Sequence, residues 1–413
     1  MPTPARYGAA ATASEPAAPE HPSRLRPSLR TAVAHASWVL AATALLGVRY
    51  HRVHAAIELS SSAEARRPPS LKLRATSPYE RELGVAIGDG RYPFPNIIEA
   101  HQETRLELLA DDELVFTEHA VWNLDATPGV NHTGNPMHFT FTTLGRTKVH
   151  GLSFATADPV TESFEVTVKY VRRELRDLSV TDRRAYFDAL GVIYSVGQEA
   201  GEKKYGSNYR SAAWLVREHL EGAGSKMCDH WHDDAGFVNH HIGITIQMER
   251  SIQAVDPRVC SHYWDYTIDA LADYDYSESI IFDEDWFGSS SPGSDKHVIE
   301  TGRWAFTPVM QHAHGFSNIT NPYGLLRSPW NTNPVPYLMR NRNTVGVNDA
   351  KYTMPTCSSW QAAFDRDTSL ADVIQELNGD LHGMIHIMIG GAHQRGMPLC
   401  RSGGGGYGVE QET

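Results

Sequence analysis

The alternation of apolar and polar positions changes rhythm along this chain. Short alternating runs broken by turn residues occupy Arg105–Ala110, Glu113–Leu124, Met137–Gly145, Thr147–Ala155 and Ser163–Val171. Within the last run Val166, Val168 and Tyr170 alternate with Thr167 and Lys169, the period of a strand with one buried face. Such runs, spaced about ten residues apart, predict a β-sandwich-like domain over residues 76–170. Beyond it the period becomes helical. Phe237, Ile244, Met248 and Ile252 recur at helical spacing as far as the stop signal Asp256-Pro257. Ser179, three residues before Asp182, has the form of a helix cap and predicts a helix over Arg183–Ile193. Ala212–Gly224 and the stretch holding Leu381, Ile385 and Met388 also read as helices.

The start of the chain has a different texture. Residues 1–30 are rich in Ala, Pro and Ser, with Arg24, Arg26 and Arg30, the composition of a disordered leader. Thr31–Val48 is uncharged and apolar, close to the minimum length for a membrane span, and is flanked by Arg30 and Arg49. It reads as a signal-anchor or secretory signal, with a transit segment or a packed helix containing His35, Ser37 and Thr43 as the alternatives. The expected location is the secretory pathway, secreted or anchored by a single pass. Residues 49–75 form a polar linker with Pro68-Pro69, so residues 1–75 precede the folded part.

Composition narrows the function classes. The 413 residues are enough for two to three domains, and a net charge of −12 argues against nucleic acid as a partner. The four cysteines, Cys228, Cys260, Cys357 and Cys400, allow three pairings if all are bridged. Asn131-His132-Thr133 and Asn318-Ile319-Thr320 are glycosylation sequons if the chain is secreted.

The 21 histidines are not evenly spread. Met227–Asp269 holds His230, His232, His240, His241 and His262. His241 shares the apolar stripe of its helix, and a core imidazole is either satisfied by a hydrogen bond or ligates a metal. With eight residues between them, His232 and His241 bring a loop ligand and a helix ligand within reach of one ion. Far along the chain His382 and His386 stand one helical turn apart, about 5–6 Å at Cβ, as a chelating pair. Gly383 occupies the position where a zinc protease motif carries Glu, so protease chemistry is unsupported. Imidazole sites suit copper, zinc, iron or nickel, and spacing does not choose among them, so a structural zinc site stays open.

His232-Asp-Asp-Ala-Gly-Phe237-Val-Asn-His240-His241, then Glu249 and DPRVCSHYWDYTID (Asp256–Asp269), resembles the first copper motif of the tyrosinase and catechol oxidase family. LHGMIHIMIGG (Leu381–Gly391) resembles the second, and Val171–Tyr194 the helix leading into the family's central domain. The resemblance spans residues 171–391 and implies a mainly α-helical copper bundle over residues 171–413, so that with the β-sandwich-like domain before it the chain is expected to be a multi-domain α+β protein. It further implies two copper ions, dioxygen and phenolic substrates as partners, and oxidation of phenols to quinones. Carried over by position, His219, His232 and His241 match the ligands of the first copper, and His382 and His386 two ligands of the second. Cys228-Asp229-His230 has the C-x-H form that some relatives use for a thioether, with a free thiol or a disulfide as the alternatives. Gly383, where monophenol hydroxylases often carry Asn or Asp, points to o-diphenols. No catalytic base is named; Glu376 and Asp380 precede the second pair.

The family's sixth histidine has no counterpart, since His393 stands too close to the pair, and the expectation is a chain incomplete at its C-terminus. The alternative function is a non-catalytic or degenerate protein that binds copper or oxygen. The acidic, aromatic stretch Asp269–His297 is expected to form a loop over one face of the site, with SSSPGS its most mobile part. His312 and His314, on a loop with Gly315, read as structural, with His393 or a histidine of the 297–314 region as the alternative sixth ligand.

Overall fold

A computed structural model describes residues 68–390, except 85, 88–91, 95, 224–228, 230, 233–235, 273, 295–296, 309–336, 339, 341–352 and 366–368. The leader and apolar stretch 31–48, His230, His312, His314, His393, Cys228, Cys400 and Asn318 fall outside the described residues. No helix among the described residues is long and apolar enough to cross a membrane.

The alternating runs form two sheets. In the first, β3 (Glu103–Ala110) carries β1 (Leu71–Thr76) along one edge, and β4 (Glu113–Leu114) and β7 (Met137–Thr140) along the other. The second has the order β2 (Ile97–Glu99), β9 (Val160–Lys169), β8 (Gly145–Ser153), β5 (Ala120–Leu124), β6 (Asn131–Thr133). All of its neighbours are antiparallel except β2 and β9. Leu106 and Leu108 from the first sheet meet Trp122, Leu124, Val149, Val166 and Val168 from the second in one apolar core. Asn135 pins this core. Its side chain accepts from the Leu108 N–H and donates to the Leu108 and Val115 carbonyls, which satisfies a fully enclosed amide.

The second core is built on helices. Between β1 and β2 runs α1 (Pro78–Leu83), whose Tyr79 reaches this core. The Ser179 hydroxyl caps α2 (Val180–Ser195) by accepting from the Asp182 N–H, as the sequence predicts. Then follow α3 (Gln198–Tyr205), α4 (Ala212–Ala223) and the 20-residue α5 (Gly236–Val255). Ser251, fully buried on α5, donates to the Arg210 carbonyl and accepts from its N–H, which ties α5 to the chain entering α4.

The expected sequence of a β-sandwich-like domain and a mainly helical bundle is corrected here to a mixed α+β fold. Among the described residues 41 % are helical and 21 % strand, and from Asp256 to Pro308 the regular helix is limited to the five-residue α6 (Tyr266–Ala270). The cause is local side-chain competition for backbone N–H groups. Asp256, Asp283 and Ser289 accept from the N–H two residues on within turns, while Asp265 caps α6 in the same way and Asp275 and Ser279 cap only short 3-10 turns. The acidic stretch is therefore not merely a loop over the site: Ile281, Phe282 and Trp286 are buried in the helical core, and Ser290 is enclosed. The chain ends its described part in α7 (Cys357–Asp365), α8 (Leu370–Glu376), a π-helical segment Leu377–Gly383, and α9 (Met384–Gly390).

Candidate metal centre

Three elements deliver three imidazoles to one point. His219 comes from α4, His232 from the turn before α5, and His241 from the first turns of α5. One ring nitrogen from each lies within 4.8 Å of the others, and Nε2 of His219 is 3.2 Å from Nε2 of His232.

His232 and His241 are oriented from behind. The Asp229 carboxylate accepts from the Trp231 and His232 N–H groups through Oδ1, and its Oδ2 lies 2.7 Å from His232 Nδ1. His241 Nδ1 is 2.7 Å from the Phe237 carbonyl, one turn back in α5. A carbonyl can only accept, so the proton sits on Nδ1 of His241 and its lone pair on Nε2. Burial, ahead of the neighbouring His232, His219 and His382, pushes the His241 pKa down to about 4, so the ring is neutral near pH 7.

Trp231 closes the back of the triad. Its ring lies 5.1 Å from that of His219 and stacks on His240 at 5.0 Å. The close approach to α4 requires Gly222, because a Cβ there would fall 1.3 Å from Trp231 Nε1. His240 thus stacks on Trp231, while His241 turns toward His219 and His232.

The second pair faces the triad. The His382 ring centroid is 6.0 Å from that of His241, and Phe237 packs between at 5.1 Å from His382. His382 Nδ1 is held by the Asn378 carbonyl at 3.2 Å, and His386 Nε2 lies 2.7 Å from His382 Nε2. Burial, then the four other histidines, lowers the His386 pKa to about 3. Two tyrosine hydroxyls steady this segment: Tyr266 donates to the Leu381 carbonyl at 2.6 Å and Tyr276 to the Met388 carbonyl at 2.7 Å. A Cβ at Gly383 would come within 3.1 Å of the Asn378 carbonyl that holds His382, so glycine there also has a packing reason.

Not every histidine of the dense stretch joins this centre. His262 accepts from the Arg173 N–H through Nδ1 and packs edge-on against Tyr186. Burial holds its pKa down to about 4 against an ordinary 6.5. Between those values the unfolded chain binds the extra proton, so stability is full above pH 6.5 and declines as the pH falls toward 4. We expect a loss of up to about 3 kcal/mol across that interval from this group, and a shallower acid slope for His262→Gln in urea unfolding. An unchanged slope would mean the imidazole does not govern acid sensitivity.

On the sheets His138 pairs with Glu103, and His150 lies between Ser163 and Asp125. The latter three groups have the order of a hydrolytic triad, but Ser163 on β9 and Asp125 in the turn after β5 are both exposed, as solvated polar contacts are. His297 makes backbone hydrogen bonds with Ser294 and Arg340. Cys260 and Cys357 are both free thiols; burial pushes the Cys260 pKa up to about 12.

Residues 201–401, which contain all five converging histidines, match the common central domain of tyrosinase. This part of the chain is a tyrosinase-family domain. No curated protein matches the chain. A tyrosinase domain implies copper and oxidase chemistry, and the donor set fits: imidazole nitrogens alone, with His241 and His386 held neutral by burial and Nδ1 turned to a supporting oxygen on His232 and His241. Sequence reasoning named the five converging histidines but not their supports. Asp229 three residues before His232, and Asn378 four before His382, are the spacings that could have pointed to them.

Proposed function

We propose that this protein oxidises o-diphenols to quinones with dioxygen at a binuclear copper centre. His219, His232 and His241 hold one copper, and His382 and His386 hold the other. The convergence of the triad with the facing pair carries this reading. Copper, when bound, supplies the electron sink and the place where dioxygen is reduced.

The chain's own residues do the rest. Asp229, the Phe237 carbonyl and the Asn378 carbonyl hold three rings in the orientation that presents Nε2. Burial of His241 and His386 keeps both unprotonated, so protons do not compete with metal near pH 7. The apolar stretch 31–48 supports a route through the secretory pathway.

A second reading is a copper-binding protein without oxidase activity. It is favoured by the second motif contributing two histidines, rather than three, among the described residues. Oxygen uptake separates the two. Copper-loaded protein with catechol should consume one dioxygen for two catechols, yielding two quinones and two waters. Full copper occupancy without oxygen uptake would select the second reading.

A further inference from the structure

Asn378 touches both halves of the centre. Its side-chain Nδ2 donates to the backbone carbonyl of His232 at 2.8 Å, across 146 positions of sequence. Its own carbonyl accepts from His382 Nδ1 at 3.2 Å. One residue therefore fixes the main chain at a ligand of the triad and the ring of the facing pair. It lies in the π-helical segment Leu377–Gly383, whose wider turn departs from the α-helices on either side. Such departures are frequent at functional sites.

We propose that Asn378 is the positioning residue that sets the spacing between the two histidine groups, so that copper at the triad favours copper at the pair. This rests on the binuclear copper reading above. The coupling has a physical route. An ion at the triad draws on His232; its carbonyl is bonded to Asn378; the same residue orients His382. The Tyr266 hydroxyl, on the Leu381 carbonyl, resists rotation of the segment from its other side. Asn is suited to the role because a single planar amide donates outward while the backbone carbonyl of the same residue accepts within the helix.

The test is copper titration of the full chain in wild type, Asn378→Asp and Asn378→Ala, with melting temperature of the metal-free protein beside it. Aspartate keeps the shape but loses the donor. We expect two ions in the wild type. In both variants the side-chain bond to the His232 carbonyl is lost while the backbone bond to His382 Nδ1 stays, so the first ion binds within a few-fold of wild type and the second, no longer coupled to the first, binds about 10–100-fold more weakly. Equal affinities in all three proteins would overturn the proposal, as would parallel weakening of both sites that follows the fall in melting temperature. A wild type that binds fewer than two ions fails at the functional reading itself and takes this inference with it.

Discussion

The His241→Ala protein should purify with the triad empty of copper, its affinity lowered by more than 100-fold. Loss of an outer hydrogen-bond partner typically weakens a metal site about 10–100-fold, and loss of a ligand removes more. Two imidazoles remain after the substitution, and His219 and His232 have no third nitrogen from α5 to complete the set. The fold should survive. Burial already holds His241 neutral, so no buried charge is orphaned, and its Nδ1 bond is to the carbonyl one turn back in the same helix. Metal analysis of the purified variant, with circular dichroism as the control for folding, reads the result. Unchanged copper content would remove His241 from the centre.

Asp269→Ala should cost about 3–5 kcal/mol, the typical effect of removing one partner from a buried ion pair. The Asp269 side chain is fully enclosed. Both oxygens accept from Arg176, at 3.1 Å each, and they also receive the Trp264 indole N–H at 2.7 Å and the Tyr274 hydroxyl at 3.0 Å. Arg176 keeps Glu174 at 2.8 Å, which softens the loss without replacing it. The substitution would loosen α6, where Tyr266 reaches the Leu381 carbonyl beside His382, so metal binding at the second pair should weaken as well. Urea unfolding measures the first effect; a change below about 1 kcal/mol would show that the network is dispensable.

The long helices were legible because their signals are local. Ser179 caps α2 where its spacing from Asp182 predicts, and the apolar stripe from Phe237 ends at Val255 before Asp256-Pro257. His232, His241, His382 and His386 stood out through helix geometry and short spacing, and His219 only through the family resemblance. The irregular stretch from Asp256 to Pro308 was not, because each Asp or Ser turn is a choice between two local hydrogen bonds that only tertiary packing decides. Sequence proximity also misleads: His262 lies in the dense histidine stretch yet bonds to Arg173 and packs on Tyr186. The spacings of Asp229 and Asn378 hinted at supports, but which groups they bond depends on how a turn closes and how distant segments meet.

Anomalous diffraction at the copper edge from crystals of the copper-loaded full chain tests the central claim most directly. We expect one peak bounded by the Nε2 atoms of His219, His232 and His241, and a second beside His382 and His386. Copper bound elsewhere, or these five side chains in place around no anomalous peak, would contradict it.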